Sequence, residues 1–76
     1  MEPVYDVGSS YDGTEGQIIA SPQTIGQNVF VCDSKSGKVI KSTVSADIHR
    51  KMGVIELPRD WIGRRVLIRP FVIFSV

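Results

Sequence analysis

Cysteine is almost absent. Cys32 stands alone among 76 residues, so the chain closes no internal disulfide. With His49 as the one histidine, no Cys/His set has the spacing of a zinc site. Long hydrophobic runs are missing too: nothing approaches the ~20 apolar residues that a membrane-spanning helix needs. Met1-Glu2-Pro3 lacks the basic-then-apolar pattern of a secretory signal, which makes the cytoplasm the expected compartment. Catalytic groupings are equally scarce. The serines have no positioned base, and beside His49 only Asp47 offers a carboxylate to orient it. Asp12 and Glu15 have no pocket built around them, and Gly8 and Gly13 are wrongly spaced for a phosphate loop. The expectation is a protein that is not an enzyme, with no cofactor, no metal, no membrane and no small-molecule substrate.

Basic residues are missing from the whole first half. Residues 1–34 hold Glu2, Asp6, Asp12, Glu15 and Asp33 and no Lys or Arg, whereas residues 35–76 hold all nine cations against Asp47, Glu56 and Asp60. The formal net charge of +1 conceals this split. Such asymmetry points to an anionic partner such as nucleic acid, or to neutralisation of one half by the other within the fold or a dimer.

What is abundant is a repeat. Shifting the sequence by 37 aligns residues 16–31 with residues 53–68 without a gap. Gly16 meets Gly53, Ile18 meets Ile55, Ile25-Gly26 meets Ile62-Gly63, Val29 meets Val66 and Val31 meets Ile68. Val7 falls on Val44, which extends the match upstream. The matched residues are turn glycines and alternating aliphatics, the positions that backbone geometry selects. A chain of this length makes one domain, 1–76, with halves 1–37 and 38–74. A domain so small buries only about 60% of its unfolded surface and often gains from a partner subunit.

Each half reads strand, loop, strand, helical turn, strand. Pro3–Val7 is an edge strand, because proline cannot donate to a ladder. Residues 8–15 are a loop and Gln17–Ala20 a strand. Ser21-Pro22 opens a helical turn as N-cap and first position, and Gly26 closes it in the left-handed conformation. Asn28–Cys32 is a strand with Val29 and Val31 on one face. Asp33–Gly37 is a hairpin connection to the strand Lys38–Val44. Residues 45–52 are either one and a half turns of helix or a loop matching 8–15, with the loop preferred. Val54–Leu57, the turn at Pro58–Ile62, Gly63 and the strand Arg64–Arg69 repeat the scheme, and Asp60 suits the start of its turn. Two strands and a turn cannot bury an apolar face alone. Two interleaved halves can, as an all-β barrel of six to seven strands.

The stretch Met52-Gly-Val-Ile-Glu-Leu-Pro-Arg-Asp-Trp-Ile-Gly-Arg-Arg-Val-Leu-Ile68 resembles the core of the AbrB-type swapped-hairpin proteins. There a glycine-led strand ends in Leu-Pro or Ile-Pro, a short helix follows, and a glycine introduces a Val-x-Val/Ile strand. The Leu-Pro-x-x-Trp-Ile-Gly-x-x-Val form is similar to small archaeal members of transposon-encoded or antitoxin-like type. The resemblance covers about a quarter of the chain. The first copy departs from it, with Ala20-Ser21 in place of Leu-Pro and no basic residue. Family members dimerise to interleave their hairpins, so two copies in one chain imply a single-chain pseudo-dimer. They are largely DNA-binding transcriptional regulators, which implies duplex DNA as partner here.

On that implication Lys38, Lys41, Arg50, Lys51, Arg59, Arg64, Arg65 and Arg69 are the candidate phosphate contacts, with Lys35 beside them on the hairpin. Exposed cations also keep a small barrel soluble and its edges unpaired. Trp61 and Cys32 are expected in packing roles, His49 in a solvent-facing loop, and Tyr5 and Tyr11 over an edge strand. The apolar end Phe71–Val76 closes the sheet or forms an interface through Phe71, Ile73 and Phe74. The competing reading is a protein-interaction or antitoxin-like module that docks a protein partner, or a second copy, through the acidic first half and this apolar end.

Overall fold

The computed structural model describes residues 4–71. They form an all-β fold of eight strands and two 3-10 turns. The strands are β1 (Val4–Asp6), β2 (Gly8–Ser9), β3 (Gly16–Ala20), β4 (Asn28–Asp33), β5 (Val39–Thr43), β6 (Ser45–Asp47), β7 (Met52–Leu57) and β8 (Arg65–Pro70). Two four-stranded antiparallel sheets result, the first in the order β1-β8-β4-β5 and the second β2-β3-β7-β6. No strand long enough to sit alone is involved: each is stable only through its ladder partners and the apolar side it buries.

Strict alternation decides which side that is. On β4, Val29, Val31 and Asp33 point inward while Phe30 and Cys32 face out. On β7, Gly53, Ile55 and Leu57 point inward and Glu56 outward, and β3 answers with Gly16, Ile18 and Ala20. The buried core is Val7, Ile18, Val29, Val31, Val44, Ile55, Leu57, Trp61 and Val66, with Ala20, Ile40 and Ile68 packed against it. Burying one such aliphatic side chain contributes about 1.5–3 kcal/mol, so these positions dominate the stability of a chain this short.

The 3-10 turns lie at Pro22–Thr24 and Arg59–Trp61. Ser21 caps the first, its hydroxyl accepting from the Gln23 N–H at 3.3 Å. Gly26 and Gly63 follow the turns at φ of 92° and 86°, a region open to glycine because it has no Cβ. Their N–H groups close onto Val44 O and Val7 O, each at 2.8 Å.

Those two bonds exemplify a wider relation: exchanging each residue with the one 37 positions away in the other half carries one set of pairings onto another. Val4↔Leu67, Tyr5↔Val66 and Asp6↔Arg65 become Lys41↔Phe30, Ser42↔Val29 and Thr43↔Asn28. Gly8↔Gln17 becomes Ser45↔Val54. The pairs Ile18↔Ile55 and Val31↔Ile68 map onto themselves. Val7 and Val44 are the corners at which β1 passes into β2 and β5 into β6, so each of these runs begins in one sheet and ends in the other.

Three segments differ from the sequence expectation. Residues 8–15 are not wholly a loop, because Gly8–Ser9 pair with Gln17 and Gly16 as β2. Residues 45–52 are not a loop but β6, a turn and the start of β7. A strand of three residues carries too little alternation to read, and its partner β7 stabilises it. The turn is also concealed, because Lys51 rather than a glycine takes the positive φ of 56°. Asp47 secures that turn by accepting from the Arg50 N–H at 3.1 Å and pairing with its guanidinium at 2.9 Å. At the other end β8 runs through Pro70 instead of stopping before it. Pro70 is opposite Val29 on β4, while β1 reaches only Arg65–Leu67, so the missing N–H leaves no ladder partner unserved on the β1 side.

Candidate nucleic-acid interface

The alternation that builds the core also sorts the charges. On the outer face of the first sheet, β5 presents Val39, Lys41 and Thr43, β4 presents Phe30 and Cys32, β8 presents Arg65, Leu67 and Arg69, and β1 presents Val4 and Asp6. One row across this face reads Lys41, Phe30, Arg69. The hairpin joining β4 to β5 adds Lys35 and Lys38, both exposed. The outer face of the second sheet has no cation on its strands. It carries Gln17 and Ile19 on β3, Val54 and Glu56 on β7, and Asp47 on β6. Five of the nine cations, Lys35, Lys38, Lys41, Arg65 and Arg69, thus gather on or beside one sheet face, with Asp6 among them.

Aromatic rings lie among these cations. Phe30 and Phe71 meet edge to face with centroids 5.1 Å apart, and Lys41 Nζ stands 4.7 Å from the Phe71 centroid. The contact keeps the ammonium group over the face at modest cost in solvation. Phe71 is held by its N–H donating to Asn28 O at 2.9 Å. Phe30 was not singled out from sequence, although the inward Val29 and Val31 place it outward by parity. Ile73 and Phe74, expected at an interface with Phe71, lie outside the described residues.

Three of the predicted phosphate contacts are engaged with carboxylates. Arg65 pairs with Asp6 at 3.5 Å, both well exposed, an interaction that contributes little and yields readily to a stronger anion. Arg50 is committed to Asp47 in the β6–β7 turn, next to the exposed Lys51 and His49 and away from the basic face. Arg64 has a structural position. Its Nη1 donates to Asp33 Oδ2 at 2.8 Å, and its guanidinium lies over the Trp61 ring at 5.4 Å. Arg59 is exposed on the second 3-10 turn. Trp61 is buried, as expected, whereas Tyr11 is fully exposed rather than packed over an edge strand.

Asp33 organises the hairpin end of the face. Its Oδ1 accepts from the Lys35 N–H at 3.0 Å, and its Oδ2 accepts from the Ser36 hydroxyl at 3.0 Å as well as from Arg64. The Lys35 N–H above all, helped by Ser36 and Arg64, holds the carboxyl below its ordinary range against the opposing effect of burial. A cleft of about 800 Å³ opens beside it, with Lys35, Arg64 and Arg65 around Asp33. No group of three His, Cys, Asp or Glu among the described residues is placed to hold a metal ion. No helix of the described residues is long and apolar enough to cross a membrane.

Comparison with protein-family models, with curated proteins and with solved structures finds no significant match to this chain.

Proposed function

We propose that the chain is a DNA-binding regulator of the AbrB-like type that lays the outer face of its first sheet along duplex phosphates. The observation that carries this reading is the sorting of charge between the sheets: Lys41, Arg65 and Arg69 on one outer face with Lys35 and Lys38 at its end, and Asp47 and Glu56 on the other. Phosphate neutralisation by such a row provides sequence-independent affinity, and side chains on the projecting hairpin provide the shallow base contact. The architecture supports the same reading. The runs β1-β2 and β5-β6 each belong to both sheets, so the strands read as one six-stranded barrel of two interleaved halves, a swapped-hairpin pseudo-dimer in a single chain.

The test is fluorescence anisotropy of a labelled random duplex titrated at several salt concentrations. Log affinity should fall with log salt at a slope of about −3 to −5, roughly −0.9 for each phosphate neutralised. Lys41→Ala and Arg69→Ala should each flatten the slope by about 1, while Lys51→Ala, in the β6–β7 turn of the second sheet, should not. Absence of binding at about 50 mM salt up to tens of micromolar removes the proposal.

A second reading rests on the apolar middle of the same face, where Val4 is 55% and Val39 57% exposed beside the half-buried Phe30 and Leu67. A protein partner would bury that strip, and its binding would respond weakly to salt.

A further inference from the structure

The two halves repeat their backbone pairings but not the size of their inward side chains. At the offset where the second half carries Leu57 and Trp61, the first carries Ala20 and Thr24. Trp61 fills its place, 4% exposed, within the core cluster that includes Val7, Leu57 and Val66. The related place, beside Thr24, is a groove of about 400 Å³ that opens to solvent past Tyr5 and Ile19, which are 37% and 40% exposed. Tyr5, Ile19 and Pro70 form its rim above Ile18, Ala20, Val29, Val44, Ile55 and Ile68, and Ser21, Thr24 and Gln27 stand at its polar side. Val29 and Val44 here are the counterparts of Val66 and Val7 beside Trp61, and Gln27 is the counterpart of Arg64, which lies over the Trp61 ring.

Protein interiors are close-packed, and a void lined by aliphatic side chains forfeits contacts that a neighbour would supply. An apolar groove open to solvent forfeits the same contacts, and a flat ring laid in it supplies them. At about 400 Å³ this one lies within the roughly 300–1,000 Å³ range of small-molecule sites. Its polar side is also equipped. Thr24 donates its hydroxyl to Ser21 O at 2.6 Å, while the Gln27 side-chain amide has no partner among the described residues. That amide offers an acceptor to a ring N–H and a donor to a ring substituent.

We infer that this groove is a binding site for a small, uncharged, planar aromatic molecule of indole size, received where the second half of the chain inserts Trp61. The shape of the occupant is set by the related site, and its polarity by the aliphatic walls with a single free amide at the edge.

The experiment is titration of the isotopically labelled full chain with indole, followed by amide and methyl chemical shifts. Saturable shifts are expected at Ile18, Ala20, Val29, Val44 and Ile55, with none at Val7, Leu57 or Val66 around Trp61. Thr24→Trp, which copies the second half, should weaken indole binding by at least tenfold and raise the melting temperature of the ligand-free protein. If that variant does not fold, Ala20→Leu, which copies Leu57, should narrow the groove and weaken binding in the same direction. Gln27→Ala should discriminate among rings, weakening indole more than naphthalene, which has no N–H to place. The inference is overturned if indole produces no saturable shift up to its solubility, if the shifts fall elsewhere, or if both groove-filling variants bind indole as the parent does.

Discussion

Gly53 on β7 occupies a place with no room for a side chain. A Cβ added there would lie 2.8 Å from Val44 Cγ1 and 2.9 Å from the backbone Ser21 O. Neither distance is tolerable, and the second involves main chain that cannot rotate away. Gly53→Ala therefore forces β7, the Val44 corner or the Ser21 turn to shift, an overpacking cost of about 1–3 kcal/mol. Alanine offsets about 0.4–1 kcal/mol of this by restricting the unfolded chain. The expected net loss is about 0.5–2.5 kcal/mol. For a domain of this size a loss near 1.5 kcal/mol lowers Tm by roughly 6–12 °C. Gly16 is the sister position, with its added Cβ 2.9 Å from Val7 Cγ1 and 3.1 Å from Pro58 O, so Gly16→Ala should lose a similar amount. Gly8→Ala is the control, since the nearest atom there is 3.8 Å away. The assay is thermal and urea unfolding followed by circular dichroism, completed by a cycle with Val44→Ala. Removing the Val44 methyls relieves one of the two clashes, so the pair should couple by about 0.5–1.5 kcal/mol. A Gly53→Ala protein indistinguishable in Tm from Gly8→Ala would refute the reasoning.

Stability should depend on pH through Asp33 and, in the 8–15 loop, through Asp12. Asp12 is lowered first by the Thr14 hydroxyl and then by Ser10. A carboxyl depressed on folding stabilises the native state above its unfolded pKa, and that stabilisation is lost as pH falls through the lower folded value. Tm should be level at and above about pH 5 and fall below the ordinary carboxylate range. Asp33→Asn should reduce that fall, as a series of melts between about pH 6 and 2 will report. Ile55→Ala and Ile18→Ala, at the self-related pair across β3 and β7, should each cost about 2–5 kcal/mol in urea unfolding. Gly63→Ala should destabilise by about 1 kcal/mol, because φ of 86° is unfavourable to a Cβ, and Gly63→Asn should recover part of the loss.

Much of the interface could be read in the chain, but not its layout. Nine cations confined to residues 35–76 raised the expectation of an anionic partner, or of one half neutralising the other. Which of them share a surface depended on register. Lys41 and Arg69 are far apart in sequence, yet both flank Phe30 because β4 lies between β5 and β8. Arg64 and Arg65 are neighbours in sequence and part company in the fold, one drawn onto buried Asp33 and the other exposed beside Asp6. That division follows from the alternation of β8 together with a carboxylate 31 positions away, and no local pattern contains it. The groove beside Thr24 was equally hidden. Ala20 and Thr24 are unremarkable as residues, and they leave a space only because the offset that relates the halves puts Leu57 and Trp61 in the matching places.

The sequence by itself determined the all-β class, the two helical turns, their closing glycines and the shared face of Val29 and Val31 on β4. These are set by constraints within a few residues: the two-residue period of a strand, the fixed φ of proline, the freedom of glycine at positive φ. Only the tertiary structure decided that 45–47 is a strand, that β8 passes through Pro70, and which cations face outward together. Those outcomes depend on ladder partners distant in sequence, since a strand of three residues or a proline in a ladder is stable or not according to what lies beside it.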